Sequence, residues 1–306
     1  MLPPTRRFEP RSNYMRGLIC TLVVLATVLQ AARAADEITI EHDGARRTYL
    51  VHRPSGDEPT VALPLVVALH GTNMRAADML RHTDLARKAD AAKFILASPN
   101  SLGTAFNDGF APAGSDAAVI NDVGFIQAVV EDAKARYRIR ADSIFLVGFS
   151  SGGSMVQRMA IESRYPFAGY ASVANTVRVK TEGIANRAPT LLVFGTADPL
   201  NPVAGGEVAM PVTSVKPSHE STAKGWADRL GCQGNPVVAA PDKGVQARIW
   251  TECPSGARLA WYEIAGLGHH WAGAEPMPFP SFIIGEQVAA PNLTDLIWGF
   301  FNPGPK

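Results

Sequence analysis

The sequence predicts an α/β protein built on a mostly parallel sheet with helices on both faces. Two observations carry that prediction. Short runs rich in Val, Ile and Leu such as PLVVAL (64–69), SIFLV (143–147) and TLLVF (190–194) are apolar almost throughout, as strands covered on both sides must be. Between them lie longer stretches with apolar residues every three or four positions, and strands alternating with such helices favour parallel pairing.

Taken in order, the first strand is expected at 47–52 (RTYLVH), followed by 64–69 and a helix over 77–92. A strand at 94–97 (FILA) comes next. Val123, Ile126, Val130, Ala133 and Tyr137 then recur at helical spacing, one face aimed at a sheet. The strand at 143–147 leads into a helix over 152–163. Strands follow at 168–173 (AGYASV) and 190–194, then a helix at 218–230, a strand at 259–264 (LAWYEI) and a last helix at 293–301 opened by Asn292 or Thr294 as its cap. The Pro- and Gly-rich stretches 199–217 and 272–291 read as long loops, a class that often carries function.

The first 34 of the 306 residues read as a leader rather than as part of this fold. Four arginines precede the apolar run LICTLVVLATVLQ (18–30), and small residues at Ala32 and Ala34 follow it, the order of a secretory signal cleaved after Ala34. Residues 35–306 are then expected to form one catalytic-sized α/β domain, secreted or periplasmic, with no later run long enough to span a bilayer. Removing 1–34 takes away five arginines and one glutamate, which leaves 24 Lys and Arg against 27 Asp and Glu and a net charge of −3. Nothing in that balance points to nucleic acid or to an anionic membrane surface. Two cysteines survive processing, Cys232 and Cys253, and in an oxidising compartment such a pair is most simply a disulfide. No cluster of metal-binding spacing accompanies them.

The chemistry is concentrated in VGFSSGGSM (147–155), where a strand passes into a helix. Gly148, Ser150 and Gly152 fit G-x-S-x-G, a tight turn that strains the serine backbone and leaves no room for side chains two residues before and after it. Ser151 has Phe149 two positions before it and Ser154 has Val156 two positions after, so Ser150 is the candidate nucleophile. A serine hydroxyl needs a base and a carboxylate to orient that base. The order Ser, Asp, His is available: Asp198 follows the run TLLVF in GTADPL, and His269 and His270 follow LAWYEI in AGLGHHWAG. These loops leave the ends of strands, where sites assemble in parallel sheets. Only one of two adjacent histidines can serve as base. Peptide N–H groups near Gly71 or Thr72, in LHGTN, together with that of Ser151, supply a candidate oxyanion hole. His70 is expected to fix its loop by hydrogen bonding.

The ordered motifs LHGTNMRAADML, FNDG, NDVGFIQAVVEDAKARYRI, SIFLVGFSSGGSMVQRMA, VFGTADPLNP and GLGHHWAG resemble the polyhydroxybutyrate depolymerase-like esterases. That family belongs to the α/β-hydrolase superfamily and is related to feruloyl and acetylxylan esterases of carbohydrate esterase family 1. The resemblance spans about residues 38–301. It implies an α/β-hydrolase fold, Ser150 as nucleophile, Asp198 as acid and His269 as base, since the family pattern G-x-G-H-x-W-x-G maps onto Gly266, Gly268, His269, Trp271 and Gly273. It also implies a disulfide where Cys232 and Cys253 stand. Phe194 departs from the histidine common before GTAD, Leu267 and Ala272 from a glycine and a proline of the histidine loop, and Thr72 from the cysteine of polymer depolymerases.

The expected function is therefore a serine carboxylesterase that needs no metal or organic cofactor. Its substrates are expected to be soluble hydroxyalkanoate oligomers or plant-derived feruloyl or acetyl esters, with Trp271 lining the pocket. The competing readings are a peptidase or amide hydrolase on the same scaffold and a non-catalytic binder of cell-wall polymers or sugars.

Overall fold

The computed structural model describes residues 35–56, 60–110, 114–176, 183–209 and 213–302; the proposed leader lies outside them. In chain order the elements are β1 (Asp36–His42), β2 (Ala45–His52), β3 (Leu63–Leu69), α1 (Ala76–Arg81), α2 (Leu85–Ala92), β4 (Ile95–Pro99), α3 (Asp116–Val119), α4 (Asp122–Arg136) and β5 (Ile139–Phe149). There follow α5 (Ser151–Glu162), β6 (Gly169–Val173), β7 (Thr190–Gly195), β8 (Gly206–Val208), β9 (Ser214–Lys216), α6 (His219–Leu230), β10 (Val237–Ala239), β11 (Val245–Trp250), β12 (Leu259–Ile264), α7 (Ser281–Ile284) and α8 (Leu293–Phe301).

Among the described residues ten strands form one sheet in the order β1-β2-β4-β3-β5-β6-β7-β12-β11-β10. The six from β4 to β12 pair in parallel, and antiparallel hairpins extend the sheet at both ends. The apolar runs are explained by the two cores. Leu65, Val67 and Leu69 of β3 face α4, α5 and α6, while Val66 and Ala68 face α1, α2 and α8. Alternate side chains of one strand thus enter different cores, so no position tolerates a polar residue cheaply.

Every strand expected from sequence is present, and β5 runs further than expected, from Ile139 directly into Ser150. Several elements went unread. The edge strand β1 and the strand β11, next to the opposite edge, have partly exposed positions instead of running apolar, and the supposed loop 199–217 contains a small β8–β9 ribbon. The single helix expected over 77–92 is two. Asp84, at φ 59°, breaks it, and the break serves α8: the Thr83 carbonyl accepts the Thr294 hydroxyl, and Asp84 accepts the Asn292 amide at 3.1 Å. Asn292 is the cap of α8, taking the Asp295 N–H at 3.0 Å. No helix among the described residues is long and apolar enough to cross a membrane.

The Cys232–Cys253 disulfide is formed. It ties the end of α6 to the segment after β11, packed against the α4–α5–α6 core.

Candidate active site

Ser150 sits between the last residue of β5 and the first of α5, at φ 55° and ψ −121°. A non-glycine residue adopts that backbone only when its surroundings force it. The surroundings here are backbone on both sides. A Cβ at Gly148 would lie 2.2 Å from the Gly152 carbonyl oxygen, and one at Gly152 would lie 2.2 Å from the Leu69 carbonyl oxygen. The two glycines let α5 drop onto the ends of β3 and β5, which lifts the serine above the carboxyl edge of the sheet. Ser150 is partly open to solvent.

Its hydroxyl lies 2.8 Å from Nε2 of His269, whose Nδ1 lies 2.8 Å from Oδ2 of Asp198. Both partners are buried, His269 on the loop after β12 and Asp198 on the loop after β7. The Asp198 carboxylate is held on every side. Oδ1 accepts the N–H groups of Leu200 at 2.7 Å and Asn201 at 3.1 Å, and Oδ2 also accepts the Asn201 side-chain amide at 3.2 Å. Burial pushes this carboxyl up, but the charge and hydrogen bond of His269 and the donors from Asn201 and Leu200 outweigh it and hold it below the usual aspartate range. The His269 ring packs on Phe149 at 5.0 Å between centroids, and the residue's backbone N–H is bound to the Ile284 carbonyl at 2.5 Å.

His270 points elsewhere. Its Nε2 lies 3.1 Å from the Gly285 carbonyl and its Nδ1 accepts the Met277 N–H at 3.2 Å, so it braces the loop leading to α7. Burial pushes its imidazole down. The loop after β3 approaches the nucleophile: a Cβ at Gly71 would lie 3.2 Å from the Ser150 Cβ. His70 does fix that loop. Nδ1 binds the Gly71 carbonyl at 2.8 Å, Nε2 accepts the Ser101 N–H at 3.1 Å, and the ring rests on Phe106 at 4.8 Å. Ser151 opens α5, so its N–H has no carbonyl to meet within the helix.

The aromatic pocket expectation is corrected. Trp271 is fully buried, packs in the core with α8 and donates its indole N–H to Thr294 at 2.9 Å. It fixes the histidine loop to the last helix and lines no opening. Phe106 and Trp226 are core residues as well. Leu102, Val203 and Phe282 are exposed apolar side chains on the segments that follow β4, β7 and β12. Phe282 belongs to α7, whose Ile284 holds the His269 N–H.

Sequence reasoning also passed over His219 and Glu263. They form a buried pair behind Asp198, with Nδ1 2.9 Å from Oε1. A glutamate inside an otherwise apolar buried strand was the available signal.

Residues 64–223 match the family described as phospholipase/carboxylesterase. The chain is 28% identical over 275 residues to the "Putative esterase NocK" of Nocardia uniformis subsp. tsuyamanensis, covering 84% of this chain and 79% of that one. It is 27% identical over 249 residues to feruloyl esterase B of Neurospora crassa, covering 67% and 77%. An acetyl xylan esterase from Aspergillus awamori superposes with a TM-score of 0.57 at 15% identity over 77% of this chain and 94% of that one, a likeness of fold.

Proposed function

Since this chain belongs to the phospholipase/carboxylesterase family and is an esterase of the α/β-hydrolase type, related to feruloyl and acetylxylan esterases, we propose that Ser150, His269 and Asp198 are its catalytic triad. The unbroken line of two 2.8 Å hydrogen bonds from the Ser150 hydroxyl through His269 to Asp198 carries the reading. The Ser150 oxygen attacks the ester carbonyl carbon while Nε2 of His269 takes its proton, and Asp198 accepts the Nδ1–H and balances the charge that develops on the ring. The carbonyl oxygen, now an anion, is met by the N–H of Ser151 and by that of Gly71 or Thr72. Collapse of the tetrahedral intermediate expels the alcohol, which receives the proton from His269. Water then attacks the acyl-serine, giving its proton to His269, and the acid leaves as Ser150 is restored.

The substrate class in this reading is a soluble ester, a hydroxyalkanoate oligomer or a feruloyl or acetyl ester of plant origin. Export to the periplasm or medium is part of the same proposal and rests on residues 1–34.

Labelling by a fluorophosphonate probe is expected to disappear in Ser150→Ala and persist in Ser151→Ala. Equal labelling of both variants removes Ser150 from its role. Faster turnover of a peptide substrate than of p-nitrophenyl acetate, methyl ferulate or hydroxybutyrate oligomers overturns the ester reading in favour of an amide hydrolase.

A further inference from the structure

The acid of the triad does not stand alone. Asn201 grips both oxygens of Asp198, one by its backbone N–H and the other by its side-chain amide, and the same amide donates to the Ala174 carbonyl at 2.9 Å. Ala174 follows β6, beside the strand end that receives Ser150, whose N–H binds the Val173 carbonyl at 2.9 Å. Asn201 therefore joins the acid loop to the strand that anchors the nucleophile.

What holds Asn201 is its carbonyl, and the partner there is Nε2 of His219 at 2.8 Å. His219 is the first residue of α6 and is fully buried, its ring stacked on Phe194 at 4.2 Å and 15°. Phe194, the residue that departs from the related esterases in the motif before Asp198, thus serves as the floor for this ring. The other ring nitrogen faces Oε1 of Glu263 at 2.9 Å, and Oε2 of the same carboxylate takes a hydrogen bond from Arg248 at 3.2 Å.

A carbonyl oxygen only accepts, so Nε2 of His219 carries the hydrogen in its bond to Asn201. Burial alone would raise the Glu263 carboxyl, but its contacts with His219 and Arg248 hold it below the usual range. We propose that His219, fixed between Glu263 and the Phe194 ring, is a positioning residue for the triad acid, acting through Asn201. The inference rests on the triad proposed above.

It follows that the pair affects the chemical step and not the binding of substrate. His219→Phe keeps a ring over Phe194 and removes the Nε2 donor. With p-nitrophenyl acetate, and with active sites counted by fluorophosphonate, kcat is expected to fall on the order of 10- to 100-fold, the loss that a misplacement of up to about 1 Å produces, with KM within about twofold. His219→Gln places an amide nitrogen where Nε2 stood and is expected to recover most of the rate. In an Asp198→Ala background there is no acid left to position, so adding His219→Phe is expected to leave the residual kcat unchanged. In the unmodified protein, nitrogen-resolved NMR is expected to show a slowly exchanging Nε2–H proton on His219.

An unchanged kcat in His219→Phe, or an equal fall in both backgrounds, overturns the positioning role. Absence of a hydrogen on Nε2 of His219 overturns the contact through which it acts. Where His219→Phe yields no titratable sites, His219→Gln and the NMR signal decide. If Asp198→Ala itself keeps the full rate, the triad fails and this inference with it. If Asp198→Ala loses the rate and His219→Phe does not, this inference alone fails.

Discussion

Replacing Gly152 by alanine puts one methyl group where the structure holds backbone. The added Cβ would lie 2.2 Å from the Leu69 oxygen and 2.6 Å from the His70 oxygen. Relief needs α5 and the end of β3 to separate by about 1 Å, and a misplacement of that size costs on the order of 10²-fold in rate when it falls between nucleophile and oxyanion donors. Forcing a methyl group into packed space costs about 1–3 kcal/mol. Helix propensity works the other way, since glycine to alanine in a helix interior gains roughly 0.8–1 kcal/mol. The prediction is therefore a loss of both stability and kcat in Gly152→Ala. Gly225, inside α6, supplies the contrast, because a Cβ there would meet nothing within 4 Å. Gly225→Ala is expected to raise stability and leave kcat alone. Urea melts and p-nitrophenyl acetate kinetics on the two variants measure this. If Gly152→Ala is stabilised like Gly225→Ala and keeps its rate within about twofold, the close-approach account of the elbow is wrong.

Three further outcomes are expected. The double variant Cys232→Ser, Cys253→Ser opens a link between residues 21 apart and should lower unfolding free energy by about 3 kcal/mol with kcat unchanged, read by urea melts of oxidised and variant protein. Asp122→Ala strands the buried Arg47 guanidinium, whose Nη2 lies 2.6 Å from the carboxylate, and should cost about 3–5 kcal/mol in the same melts. Burial holds the His70 imidazole below its ordinary value, so the folded protein binds fewer protons there than the unfolded chain. The stabilisation is complete above the ordinary histidine value of about 6.5 and is lost as pH falls from there toward the lower folded value. Protonation would also convert Nε2 from acceptor to donor and break the Ser101 bond. The melting-temperature advantage of the unmodified protein over His70→Gln should thus shrink between about pH 7.5 and 5, and a constant difference refutes it.

The strands buried on both faces were legible because nearly every position must be apolar, a signal that short runs such as TLLVF carry without help. Strand β1 at one edge of the sheet and β11 beside the other leave some positions open to solvent and carry polar side chains such as Glu37, Gln246 and Arg248, which blurred them into loop. The split between α1 and α2 was hidden because Asp84 takes a left-handed turn to suit Asn292, far along the chain. At the site, Ser150 stood out through the sterics of its flanking glycines and Asp198 through the strand that delivers it, while the strand before AGLGHHWAG left His269 and His270 open and only the family resemblance chose His269. Trp271 was misplaced because an aromatic beside a site looks the same in sequence whether it faces a cleft or the core. His219 and Glu263 escaped because their meaning lies in a contact across 44 residues, and neither falls in a motif.

The order in which the chain supplies the site has a kinetic consequence. The elbow at Ser150 needs only β3, β5, β6 and α5, but His269 follows β12, and its N–H is held by Ile284 from α7. On the proposed roles, a chain whose last strands are still unpaired has a nucleophile without a base. Hydrolytic activity would then be among the last properties to return in refolding, after secondary structure and burial of the first core. A stopped-flow refolding trace followed by both fluorescence and ester hydrolysis should show the second lagging the first.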